Sequence, residues 1–505
     1  MKAVSLVYYF LVICFLSLSF PSFGASISGT VVDAETKEPL PYASIGVLGT
    51  TKGTVSNSEG IFMLDLEGTT PNDMIVFRYM GYEPVKLTIS SLQAHTEIRM
   101  RPAAVSLREV EVSTYSLPAE EIIRRAYKNF ESNSAAAPDK QRIFVHKYSK
   151  IPFQKENKVK LKESDFVGLD KKTFDEIMKK MPPEFIEYQD ALVEYYHNGN
   201  NYKLVPIKGI SLEEGSQQKI LDDVENKLAD FTADIEKSMG EKDIYYKLST
   251  GILSKKVGNK NKDKEAWNKE EKKEEDADTL NYTIPTEQAK DYLQFLLKQF
   301  VSIKSDEWKC INSTNKYEYE LKDIPLYNNE RVYQITFRPK KRGLYEGTVY
   351  IATGSFAILQ ADFAFAKGKK SDSFNLFGFK HVTNFKEAHL IFEKGKSGYF
   401  IKYMSATQKD FTSLDRNFSV VKKQKRFLID KQLNEMKFDV ELFFNTENQY
   451  ELLVLDREEI STTEFEKVKE PAVMKFKKEF AYTPEMWDNR TVIVPTSELK
   501  KYKRK

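Results

Sequence analysis

Cysteine is nearly absent from the chain. It holds two, Cys14 and Cys310, and only Cys310 lies beyond the apolar N-terminus. A lone cysteine excludes an intramolecular disulfide, and its expected role is that of a small buried hydrophobe. Net charge is also slight, formally +3 over 505 residues. That removes the electrostatic case for nucleic acid, whose partners cluster basic residues on one face. Histidine is scarce. His95, His146, His197, His381 and His389 form no H-x-x-E or H-E-x-x-H motif, whereas zinc catalysis needs about three placed ligands and an open position. His381 and His389 are read as ordinary structural or surface residues. There is no G-x-S-x-G elbow, Walker loop, dinucleotide fingerprint or diagnostic Cys–His pair. Adjacent carboxylates such as Glu120-Glu121, Glu213-Glu214 and Asp222-Asp223 read as solvated faces, because spacing alone does not make a glycosidase pair. No catalytic, cofactor-binding or metal-binding residue is assigned, and the chain is expected to be non-enzymatic. Past the first two dozen residues, no run is long and apolar enough to span a membrane as a helix.

The N-terminus itself reads as an export signal. Lys2 precedes the apolar run Ala3–Phe20, and Ser22-Phe23-Gly24 supplies the small residues a signal peptidase needs. Cleavage is placed after Gly24, making 1–24 a signal peptide; the other reading of the run is an uncleaved membrane anchor. Leu11-Val12-Ile13 lacks the small residues that a lipoprotein cysteine at Cys14 would require.

Residues 25–103 alternate in short strands separated by turn formers. Ile27–Val32 alternates like a half-buried strand, and Asp33 through Pro39 supplies a turn. Ala43, Ile45 and Val47 share one face of the next strand. Thr54–Gly60 reads as a turn ending at a glycine suited to positive φ, before a strand at Ile61–Leu66. Met74–Tyr79, a corner at Gly81-Tyr82, Glu83–Ile89 and Thr96–Met100 complete an antiparallel sandwich. Gly29-Thr-Val-Val-Asp33, Pro39-Leu-Pro-Tyr-Ala-Ser44, Gly53 through Phe62, Gly81-Tyr82 and Leu107-Arg-Glu-Val-Glu-Val112 resemble the carboxypeptidase regulatory-like domain. The resemblance implies a transthyretin-like β-sandwich with no catalytic role. Asn57 stands where that family more often has Asp, and serves the turn as well. Such domains often precede TonB-dependent outer-membrane receptors, and also shorter envelope proteins of two-membraned bacteria. A receptor barrel of roughly twenty strands, each of ~10 residues plus loops, does not fit in what remains.

Residues 104–116 read as a linker. Ser116 is placed to cap a helix running to Phe130, with Pro118 in its first turn. Residues 117–254 mix strands (Arg142–Tyr148, Ala191–Tyr196, Tyr202–Val205) with a helix at Ser216–Met239. Residues 255–278, dominated by Lys, Glu, Asp and Asn, read as a charged flexible insertion. From 279 to 505 the pattern is a large antiparallel sheet with a helix at Pro285–Phe300. Its strands include Arg331–Arg338, Ala357–Ala366, Tyr399–Met404, Arg426–Ile429 and Phe438–Phe444. Trp487 is expected to tuck a closing segment into the core.

The expected fold is therefore multi-domain: an all-β sandwich followed by an α+β body whose large antiparallel sheet is packed by helices. Aromatics are abundant, 34 Phe and 27 Tyr, and alternate on the later strands. If the helix at 285–300 covers only part of the sheet, Tyr333, Phe337 and Phe363 would line an apolar groove beside it. In order, length and aromatic content this body loosely resembles the half-barrel of periplasmic lipoprotein carriers. The sequence thus describes an exported, non-enzymatic protein of the periplasm or outer membrane, whose sandwich positions it and whose sheet binds an envelope partner or an apolar ligand. Two alternatives stay open: a periplasmic lipid or lipoprotein carrier, and an envelope hydrolase with a carboxylate site outside known motifs.

Overall fold

The computed structural model describes residues 26–92, 96–103, 117–153, 157–213, 215–239, 241, 243–250, 254–257, 281–323, 325–327, 330–376, 378–487, 490 and 492–500. The expected signal peptide, the linker at 104–116 and most of the charged insertion lie outside the described residues. Two compact units are present, the first made of the N-terminal region to Pro102 together with Pro484–Thr496, the second of the remainder.

In the first unit, β1 (Ser26–Asp33) lies between β4 (Ile61–Asp65) and β7 (Thr96–Met100). The other sheet orders β3 (Gly53–Val55), β2 (Ser44–Val47), β5 (Met74–Arg78) and β6 (Val85–Thr88). Val31, Ile45, Phe62, Leu64, Ile75 and Phe77 fill the space between them. The stretch expected as a turn from Thr54 begins as β3. There Gly53 is required, because a Cβ would fall 2.5 Å from the carbonyl oxygen of Ile45. Gly60 does take positive φ, at +74°.

The second unit is one continuous sheet. Its main row runs β15 (Tyr317–Asp323), β17 (Glu330–Pro339), β18 (Tyr345–Ala352), β19 (Ile358–Phe365), β21 (Phe379–Lys394), β22 (Tyr399–Gln424) and β23 (Lys431–Glu459). It continues through β8 (Asp139–Pro152), β10 (Glu184–Asn198), β11 (Asn201–Glu213), β24 (Val473–Glu479) and β14 (Asn281–Pro285). The regions read from sequence as separate, 117–254 and 279–505, are therefore interleaved: β8 pairs with β23 on one side and β10 on the other. The hairpin of β22 and β23 runs on past this row. Its distal half carries β12 (Ile244–Ser249), then β13 (Ser254–Val257), on one flank and β9 (Lys158–Ser164) on the other. Two short strands, β16 (Leu326–Tyr327) and β20 (Ser371–Leu376), add to β17 and β21.

Helices α1 (Ala119–Asn133) and α4 (Thr286–Leu296) pack on one face of the main row. Ile122, Ile123 and Ala126 of α1, and Leu293 and Leu296 of α4, join the buried side chains of the strands there. Pro118, not Ser116, occupies the N-cap of α1, and its carbonyl accepts from the amides of Glu121 and Ile122. After α4 the chain widens into a π-turn, Leu297–Val301, which turns Phe300 into the core. The carbonyl of Phe300 then accepts from the indole of Trp308 at 2.7 Å. Helices α2 (Lys171–Lys180) and α3 (Gly215–Met239) lie on the distal half of the hairpin. There Leu161, Phe166, Leu169, Tyr246 and Met436 form a second small core, with Phe174 and Phe231 packed against it.

Three sequence expectations are corrected. Arg426–Ile429 is not a strand but the turn of the long hairpin, beyond its last pair Gln424 and Lys431. Lys255 and Lys256 belong to β13, since they pair with Leu248 and Lys247 of β12. The segment carrying Trp487 closes the first unit rather than the sheet.

Candidate functional site

The helix α4 is set onto the sheet by one nearly buried cation. Lys290 on it reaches Glu287 at 2.7 Å and Glu470 at 3.1 Å, the latter just before β24. Opposite α4 lie β8, β10, β11 and β24, and two of them carry small residues, Ala191 on β10 and Gly209 on β11. Ala191 on β10 faces Ala289 on the helix across a cavity. Gly209 on β11 lets the Phe476 ring approach, because a Cβ there would lie 2.8 Å from it.

The result is a cavity of about 280 Å³. Its walls are apolar: Val145, Val193, Leu204, Ile284, Leu293, Met474 and Phe476. Lys147, Glu187, Gln189 and Gln288 supply its polar groups. Lys147 and Glu187 pair at 2.9 Å with side chains 26% and 46% exposed, which marks the solvent end. Gln189 donates to the hydroxyl of Tyr282 at 2.9 Å. Tyr292 also lines the cavity, and its hydroxyl is buried with no hydrogen-bond partner. Burial holds that phenol far above its ordinary value of 10, so it stays a neutral donor. An unpaired buried hydroxyl costs about 1–3 kcal/mol, and a ligand oxygen in the cavity would remove that cost.

The groove expected from sequence lies elsewhere on the sheet and is filled. Phe337 and Phe363 are each 4% exposed. Phe337 packs edge-on against Tyr317 at 6.0 Å, and Phe363 lies 5.1 Å from Tyr345 and 5.9 Å from Trp308. Tyr333 stacks on Phe356 at 6.3 Å. The filler is the chain after α4, whose Trp308, Cys310 and Ile311 are fully buried. Phe337 and Phe363 are thus core residues, and Tyr333 packs against that core partly buried. The open space lies beside the same helix, against β8, β10, β11 and β24. The sequence signal for it was Ala191 and Ala289, small residues at inward positions between large ones.

On the other face of the main row, cross-strand pairing assembles a line of ionisable groups. In register, Asp190 on β10 faces His146 on β8, which faces Glu451 on β23 and then Ser405 on β22. Beyond Ser405 come His389 on β21 and Asp362 on β19. The His146 imidazole meets Asp190 at 2.5 Å, Glu451 accepts from the Tyr403 hydroxyl at 2.5 Å, and His389 pairs with Asp362. Burial pulls the His146 pKa down, but the carboxylates of Asp190 and Glu451 outweigh it and hold it above 6.5. His381 bonds Thr412 at 2.9 Å, and His197 stacks on Tyr202. Among the described residues, no group of three or more His, Cys, Asp or Glu could hold a metal ion.

Residues 27–112 match the family model of the CarboxypepD_reg-like domain. This stretch is a CarboxypepD_reg-like domain. Solved structures similar to the chain include three of low identity. A type II cohesin–X-dockerin complex from Acetivibrio cellulolyticus is 21% identical over 22% of this chain and 77% of that one, with TM-score 0.13. A LolA superfamily protein from Nitrosomonas europaea is 8% identical over 70% of this chain and 99% of its own, with TM-score 0.18. A chain of the MucA/MucB complex of Pseudomonas aeruginosa is 7% identical over 68% of this chain and 99% of its own, with TM-score 0.18. Scores this low carry no argument about function. Comparison with curated proteins found no match.

Proposed function

We propose that this chain is an exported, non-enzymatic envelope protein whose sheet body binds an apolar ligand in the cavity beside α4, the sandwich serving to position it. The observation that carries this reading is the cavity together with the unpartnered hydroxyl of Tyr292. Apolar walls gain about 0.8 kcal/mol for each methylene they bury. The unpartnered Tyr292 hydroxyl among them, with the Gln189 and Gln288 amides in the same lining, suits a molecule that carries an oxygen acceptor, such as a fatty acyl chain with an ester or carboxyl group. A volume of about 280 Å³ sits at the small end of ligand sites, roughly 300–1,000 Å³, so one chain is held rather than a whole diacyl lipid. The ion pair of Lys147 and Glu187 at the solvent end provides a polar rim for the ligand's head.

Mass spectrometry of organic extracts from the exported protein tests this. A stoichiometric acyl compound is expected from the wild type and a reduced amount from Ala289→Phe, which fills the cavity. An extract without any such compound, together with no uptake of added fatty acid, would overturn the reading.

A further inference from the structure

The hairpin of β22 and β23 ends in an apolar point. At its turn Phe427, Leu428 and Ile429 are 102%, 88% and 81% exposed, and no other stretch of the described residues exposes three consecutive large apolar side chains. The turn is held at both its ends by the segment that carries β12. Asp430 accepts from the Tyr245 hydroxyl at 2.6 Å and from the amide of Arg426 at 3.3 Å, and the amide of Lys425 donates to the carbonyl of Asp243 at 2.7 Å. These side chains are therefore presented to solvent by an ordered support, where water makes them unfavourable.

Cations surround the point. Lys423, Lys425, Arg426 and Lys431 flank it in sequence, and Lys256 of β13 lies 4.8 Å over the Tyr245 ring. Asp430 is engaged by Tyr245, while Lys422 is matched by Asp234 at 2.8 Å. A second apolar side chain stands at the same end: Val167 is 65% exposed, two residues from Asp165, whose backbone bonds Glu435 and Asn434. Further carboxylates, Glu435 and Glu163, pair with Lys437.

We propose that this tip is a membrane-surface anchor. Phe427, Leu428 and Ile429 enter the acyl boundary of a bilayer while the neighbouring Lys and Arg side chains meet anionic phosphate headgroups. Charge decides the partner's chemistry: an apolar wedge flanked in sequence by four cations, with Asp430 engaged by Tyr245, complements a negatively charged lipid surface. Area argues against a protein partner, because three side chains fall well short of the ~800 Å² a side of a stable protein interface. The anchor stands apart from the cavity. Lys147 there is opposite Tyr450, and from Tyr450 to Lys431 is roughly 60 Å of strand.

The exported protein, free of residues 1–24, is sedimented with vesicles of phosphatidylcholine alone or mixed with phosphatidylglycerol. Binding to the mixed vesicles is expected, weakening as salt is raised. The triple variant Phe427→Ser, Leu428→Ser, Ile429→Ser is expected to bind about tenfold or more weakly. Lys425→Glu with Arg426→Glu is expected to lose about fivefold per charge, on anionic vesicles only. In Ile429→Trp, indole emission should shift to the blue on those vesicles. Ala289→Phe should bind vesicles as the wild type does, which separates this result from the fate of the cavity. Absence of wild-type binding, a triple variant that binds normally, or a tip-dependent dimer without vesicles would overturn the proposal.

Discussion

The side-chain amide of Asn57 donates to the backbone carbonyl of Val494 at 3.0 Å, joining positions 437 residues apart. The same side chain's oxygen accepts from the amides of Glu59 and Ile61, both at 2.9 Å. One residue therefore shapes the turn before β4 and fastens the returning C-terminal segment, whose Val492 and Ile493 are buried. A carboxylate could make the turn but could not donate to Val494. Asn57→Asp is expected to destabilise the first unit by about 1–3 kcal/mol, and Asn57→Ala, which loses the turn bonds too, by more. Thermal unfolding and the protease resistance of 484–496 measure this. An aspartate variant as stable as the wild type would remove the fastening role.

A buried ion pair lies within the main core. Lys386 on β21 meets Glu307 at 2.7 Å, with side chains 5% and 7% exposed. Glu307 also accepts from Gln299 at 3.1 Å and from the Tyr345 hydroxyl. Lys386→Met leaves that carboxylate without its cation and is expected to cost about 3–5 kcal/mol. The double variant Lys386→Met, Glu307→Gln is expected to cost less than the single one, because the stranded charge is gone. Denaturant unfolding of both proteins, read as midpoints at constant slope, decides it.

The pair of His146 and Asp190 sets a pH dependence. The folded imidazole is held above 6.5 by Asp190 and Glu451 despite its burial. A group whose folded pKa is raised contributes stability that is fully present below the unfolded value and lost as pH rises through the folded one. The wild type should therefore lose stability relative to His146→Gln on going from mildly acidic to alkaline solution. Parallel pH profiles for the two proteins would contradict this.

Arg457 on β23 donates from Nε to Oδ2 of Asp139 on β8 at 2.8 Å, its Nη2 lies at ion-pair distance from the same oxygen, and its guanidinium lies 5.3 Å over the Phe400 ring. Lysine has neither the planar fork nor the stacking face. Arg457→Lys should thus lower the melting temperature nearly as far as Arg457→Ala. Wild-type stability in the lysine variant would show that charge alone suffices.

Where local periodicity was strong, the sequence sufficed. The sandwich strands, α3 and α4 appear close to where apolar spacing puts them. The 26 and 29 residues of β22 and β23 did not read as single strands, because most of their distal residues are partly exposed on both faces and show no contrast at period two. Arg426–Ile429 reads from sequence as a strand of the sheet, and the structure leaves Phe427, Leu428 and Ile429 in solvent. The cavity was misplaced because the chain after α4 carried no periodic signal, although Trp308 fills the space beneath Phe363. Neither the ionisable row through His146 and Glu451 nor the contact of Asn57 with Val494 has any local signature; both arise from pairing between distant segments.

Ligand affinity at the cavity tests the central claim most directly. A fluorescent fatty acid is titrated into delipidated wild type, Ala289→Phe and Tyr292→Phe, with Phe337→Ala as a control away from the cavity. Saturable binding by the wild type is predicted, about tenfold or more weaker in Ala289→Phe, measurably weaker in Tyr292→Phe through the lost hydrogen bond, and unchanged in a folded Phe337→Ala. Equal binding by wild type and Ala289→Phe, or no binding by any of them, would contradict the account.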